Sequence, residues 1–136
     1  MVQRNVGQLI KREVVHLSAA ASVREACELM ASNHVGAVLV MEGGRLDGIF
    51  TERDALNRVL AARLDPDGTT LGDVMTQDPV TLDPQTPVTE ALRLMSEIGF
   101  RHVPIVDQDE VLGIISLRDF VGVELQLAGR DEDGAS

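Results

Sequence analysis

Apolar positions recur at helical spacing in two places, Val23, Ala26, Cys27, Met30 and again Val88, Ala91, Leu92, Met95, which predicts a helix at each. Ser22 followed by Glu25 reads as a capping box for the first, and Thr86 as the cap of the second with Pro87 at its first helical position. A short strand precedes each helix, at 14–17 and 80–82. Two more strands follow, 37–41 and 45–50 around Glu42-Gly43-Gly44, then 102–106 and 111–116 around Asp107-Gln108-Asp109. A further helix is expected after each hairpin. The order β-α-β-β-α therefore occurs twice, an α+β pattern whose crossovers should be right-handed.

The two passages are copies. Residue n laid over residue n+65 without a gap matches Val15/Val80, Leu17/Leu82, Val23/Val88, Glu25/Glu90, Ala26/Ala91, Leu29/Leu94, Met30/Met95, Val38/Val103, Gly48/Gly113, Ile49/Ile114, Arg53/Arg118 and Asp54/Asp119, which is 12 identities in the 40 positions 15–54. The register extends upstream, where Val6-Gly7-Gln8-Leu9-Ile10 lies over Leu71-Gly72-Asp73-Val74-Met75. The expected organisation is a first repeat at 6–64, a turn-rich linker at 65–70, a second repeat at 71–128 and a solvated, disordered tail at 129–136. One such unit is too small to cover both faces of its sheet. The two repeats should thus pack face to face with pseudo-two-fold symmetry, and related segments would line the cleft between them.

Each repeat closes on the same order of groups. Gly48-Ile49-Phe50-Thr51-Glu52-Arg53-Asp54 and Gly113-Ile114-Ile115-Ser116-Leu117-Arg118-Asp119 both run Gly, two apolar residues, a hydroxyl, a variable residue, Arg, Asp. The apolar pair reads as a strand end and the hydroxyl as the N-cap of the next helix. A helix start offers free N–H groups to an anion, and a carboxylate beside it can accept from two sugar hydroxyls. Those are the needs of a nucleotide.

Composition narrows the partners. A net charge of −10 disfavours nucleic acid and anionic membranes, which are bound by clustered Lys and Arg. No apolar run approaches the ~20 residues that span a bilayer, and the polar opening is no signal peptide, so a cytoplasmic address is expected. Cys27 is the single cysteine and occupies an apolar helix position, as an inert core thiol would. The three histidines share no ligand spacing, so no metal is expected. No nucleophile triad, paired-carboxylate arrangement or glycine-rich phosphate loop is suggested, which is a binder's layout more than an enzyme's.

The repeated β-α-β-β-α units with their closing motif, together with Val74-Met75-Thr76, Asp78-Pro79-Val80-Thr81 and Arg101-His102-Val103-Pro104-Ile105-Val106, resemble a tandem pair of CBS domains, the Bateman module, of the stand-alone bacterial type. The resemblance implies a regulatory module that binds adenosine-containing ligands, AMP first, with ADP, ATP or NAD(H) as alternatives, and that has no obligatory cofactor. It assigns Asp54 and Asp119 to ribose and Thr51 and Ser116 to the phosphate side. The backbone at Val38 and Val103 would flank the base, and Thr81 joins the ligand-binding set. It also implies a homodimer built as a disc of four repeats, with an unidentified regulated protein as a further partner.

Phosphate needs cations, and Arg53, Arg101, His102 and Arg118 are those around the motifs. Gly36 and Ala37 stand where the second repeat has Arg101 and His102, so the two sites should differ in affinity or ligand. Plainer roles stay open. The hydroxyls could be simple caps, the aspartates first-turn acids favoured by the dipole, and Arg53 and Arg118 exposed residues or ion-pair partners. An adaptor with vestigial sites is the competing function.

Overall fold

The computed structural model describes residues 4–10, 13–99 and 101–120. The second helix expected in the second repeat and the tail at 129–136 lie outside the described residues. Among these, contacts define two compact units, one of residues 13–79 and 109–111 and the other of 4–10, 80–99, 101–108 and 112–120.

In the first unit, β1 (His16–Leu17) leads into α1 (Val23–Asn33), whose cap Ser22 accepts from Glu25 N at 3.1 Å. Then come β2 (Ala37–Glu42) and β3 (Arg45–Thr51), antiparallel with Val38 opposite Phe50 and Val40 opposite Gly48. β1 pairs with β2 in parallel, as a β-α-β crossover requires. The hairpin turn places Gly43 and Gly44 at φ of 56° and 81°, which glycine tolerates without strain. After β3 the chain makes one turn of helix, α2 (Glu52–Asp54), and continues as a π-helix (Ala55–Leu60) closed by Ala61 N to Leu56 O at 2.9 Å.

The next two elements were not expected here. α3 (Leu71–Val74) and β4 (Thr76–Gln77), which open the second repeat in the sequence, complete the first unit. β4 adds to β3 as the fourth strand of a sheet ordered β1-β2-β3-β4. Leu71 and Val74 join Val23, Ala26, Met30, Val38, Val40, Phe50 and Val59 in one buried core.

The other unit repeats this at the offset of 65. A 3-10 turn at Val6–Leu9 enters the core formed by Val88, Ala91, Leu92, Met95, Val103, Ile105, Ile115 and Phe120. The hydrogen bonds that seat the leading turn match at this offset: Leu71 N to Ala21 O and Val6 N to Thr86 O, both 2.9 Å, then Gly72 N to Ala19 O at 2.9 Å and Gly7 N to Pro84 O at 3.0 Å. Each repeat thus takes its leading helical turn from the other repeat's stretch of sequence.

The second unit's regular elements are α4 (Val88–Ile98), β5 (His102–Asp107) and β6 (Glu110–Ser116). Pro87, not Thr86, holds the N-cap position of α4, and no side-chain hydrogen bond caps it. The strand expected at 80–82 shrinks to a single parallel bridge, Leu82 to Ile105. Proline explains the loss. In the first unit Leu39 N donates to Val15 O at 3.0 Å, but the residue matching Leu39 is Pro104, which has no N–H to give Val80.

Candidate nucleotide half-sites at the strand ends

Both motifs sit where a buried strand breaks into a helical turn. Ile49 and Phe50 are buried and Thr51 is half-buried, and the chain leaves the sheet as Glu52 N donates to Gly36 O at 2.9 Å. In the other unit Leu117 N donates to Arg101 O at 3.1 Å, the same bond 65 residues on.

The hydroxyl and the carboxylate meet in each. Thr51 N donates to Asp54 Oδ2 at 2.9 Å and Asp54 N donates to Thr51 Oγ1 at 3.2 Å, a reciprocal capping box. Ser116 N donates to Asp119 Oδ2 at 2.7 Å, and its hydroxyl lies 3.3 Å from the same oxygen. Asp54 and Asp119 are both half-buried, accessible enough to accept further bonds. A carboxylate fixed by its own backbone presents lone pairs in a set direction, which suits a ligand with paired hydroxyl donors.

The remaining predicted residues distribute as follows. Val38 and Val103 have side chains wholly within the two cores, leaving only their backbone for a ligand. Arg53, Arg101 and Arg118 are exposed, and His102 is half-buried at the start of β5. Thr81 is exposed, next to the bridging Leu82. One residue that sequence reasoning missed stands beside Asp54. Arg58 places Nε 3.6 Å from Asp54 Oδ1, and its Nη1 donates to Val74 O at 3.0 Å and Met75 O at 3.2 Å. The i, i+4 spacing from Asp54 was the available signal. Among the described residues, no group of three or more His, Cys, Asp or Glu side chains is arranged to hold a metal, and no helix is long and apolar enough to cross a membrane.

With this geometry in view, comparison with known families is decisive. The profile described as "CBS domain" matches residues 6–61 and again 71–125. The chain belongs to the CBS domain family. Its relatives include the uncharacterized protein MK0525 of Methanopyrus kandleri, 31% identical over 95% of this chain and 67% of that protein. The Arabidopsis thaliana protein CBSCBSPB2 is 33% identical over 85% of this chain, which spans only 22% of the plant protein. Among solved structures, the CBS domain protein PAE2072 of Pyrobaculum aerophilum, complexed with AMP, superposes with a TM-score of 0.83 at 30% identity, covering 92% of this chain and 98% of that one. Two CBS repeats account for most of the chain, and the α+β architecture of the family is the one described above.

Proposed function

We propose that this CBS pair is a regulatory module that senses adenine nucleotides, AMP foremost, with Asp54 and Asp119 accepting from ribose hydroxyls. The observation that carries the reading is the twofold occurrence of a half-buried carboxylate fixed at a strand end by its capping hydroxyl residue. The AMP complex of the similar Pyrobaculum protein supports AMP as first candidate. On this reading Thr51 and Ser116 face the phosphate, with Arg53, Arg101, His102 and Arg118 supplying cations, Val38 and Val103 the backbone beside the base, and Thr81 a polar contact. Binding one conformation better than another is what turns such a site into a regulator.

A homodimer in the cytoplasm is part of the proposal. Leu56 and Leu60, four residues apart on the helix after Thr51, are 56% and 71% exposed, and an apolar stripe of that kind gains by being covered. Sedimentation at micromolar concentration should give twice the chain mass.

A second reading has its own support. The capping boxes satisfy Thr51 and Asp54 without a ligand, as an adaptor with vestigial sites would. Thermal unfolding with AMP, ADP, ATP, NAD, NADH and S-adenosylmethionine separates the two. A ligand at a hundred times its Kd stabilises by about 2.7 kcal/mol, on the order of 10 °C in Tm for a chain of this size. No shift with any of the six would favour the adaptor.

A further inference from the structure

Asp54 and Asp119 occupy matching positions in the two repeats, yet their carboxylates are not equivalent. Asp54 Oδ2 takes the Thr51 N–H and its Oδ1 faces Arg58 Nε at 3.6 Å. The two hydrogen bonds that Asp119 accepts from Ser116 both fall on Oδ2. The difference is written in the sequence, because the residue 65 positions after Arg58 is Val123, which carries neither charge nor donor. Arg58 is also anchored from its far side. Its Nη1 bonds to the carbonyls of Val74 and Met75 hold the guanidinium where it is, so Nε cannot swing away without breaking them.

A vicinal diol gives its best interaction when each hydroxyl finds its own carboxylate oxygen or shares an unencumbered one. At Asp119, among the described residues, no ion pair like that of Arg58 with Asp54 holds a cation against the carboxylate. At Asp54 it must compete with a guanidinium tied to the backbone. We infer that Arg58 is a positioning residue that guards Asp54, so that the Asp119 half-site takes a ribose diol first and the Asp54 half-site only at higher concentration. This rests on the ribose reading above and names what makes the two sites unequal.

The test uses the full chain, AMP as the probe and calorimetric titration. In a D119A background, which leaves the first site alone, Arg58→Met should tighten AMP binding about fivefold, the scale of one part-exposed ion pair. Arg58→Lys, which keeps a cation beside Asp54, should return the weaker affinity. The gain should disappear when 2′-deoxy-AMP replaces AMP, a dependence that a merely structural arginine would not produce. Unchanged or weaker AMP binding in the Arg58→Met protein, or an equal gain for the deoxy probe, overturns the guarding role. The ribose reading fails separately: if neither D54A nor D119A alters AMP affinity, the carboxylates do not hold the sugar and Arg58 has nothing to guard.

Discussion

Gly48 lies against Met75, so closely that a Cβ at position 48 would stand 2.6 Å from the Met75 sulfur and 2.7 Å from the Thr76 carbonyl oxygen. Gly113 bears the same relation to Ile10, where a Cβ would fall 2.7 Å from Cγ2. The glycine that opens the motif in both repeats is thus the seat for the segment contributed from the other repeat. Gly48→Ala should destabilise by about 1–3 kcal/mol, because a carbonyl fixed in the β3–β4 pairing has no freedom to retreat. Urea unfolding measures it. An unchanged midpoint would mean that β4 is readily displaced.

Leu9 is 1% exposed inside the core of the unit that carries the second repeat. Leu9→Ala should cost about 2–5 kcal/mol, the range for truncating a buried leucine. Hydrogen exchange should show the loss first in α4 and β5, far along the sequence from the substitution. Loss confined to residues 13–79 would contradict the exchange of leading turns.

For ligand binding, Asp119→Ala should weaken AMP by at least about tenfold, the effect of removing charge-assisted bonds of roughly 1.5–3 kcal/mol. Asp54→Ala should alter only the weaker phase of the titration. Calorimetry on the two variants side by side decides it, and equal effects would count against inequivalent sites.

The turn between β5 and β6 puts Gln108 and Asp109 at φ of 48° and 72°, where the first repeat uses Gly43 and Gly44. Left-handed backbone strains residues with a Cβ. Replacing the pair by Asn-Gly should therefore stabilise by about 0.5–1 kcal/mol, read as a rise in Tm.

Burial pushes the Cys27 thiol up, with Glu28 adding to the rise and Arg24 opposing it. A group whose folded pKa is raised holds its proton longer in the native state than in the unfolded one. Its contribution to stability is complete below the unfolded value near 8.5 and falls away as pH climbs through the folded value. Between pH 8 and 10 the wild-type protein should lose stability more steeply than Cys27→Val, and its thiol should react slowly with iodoacetamide at pH 8.

Much of this was legible beforehand. Helical spacing at Val23–Met30 and Val88–Met95, alternation with turn residues, and the offset of 65 locate α1, α4 and both hairpins because those signals are local. The N-cap positions of Thr51 and Ser116 were readable for the same reason. What stayed hidden depended on partners distant in sequence. Val6 and Leu71 look like openings of their own repeats, and only the pairing of Leu71 with Ala21 and Val6 with Thr86 reveals where they pack. Pro104 erased an expected strand by withholding one N–H from a neighbour more than twenty residues away, and Arg58 acquired its place through carbonyls at 74 and 75.

The exchanged leading turns bear on how such a chain arose. A polypeptide with one β-α-β-β-α unit, built to these contacts, would have had an empty groove beside its helix and a loose helical turn at its own start. Two copies satisfy both needs by trading that turn, as a domain-swapped dimer does. Fusing the two genes end to end would preserve the trade unchanged, with residues 65–70 as the seam. The constant offset of 65 in the hydrogen bonds is the trace that such a fusion would leave within one backbone.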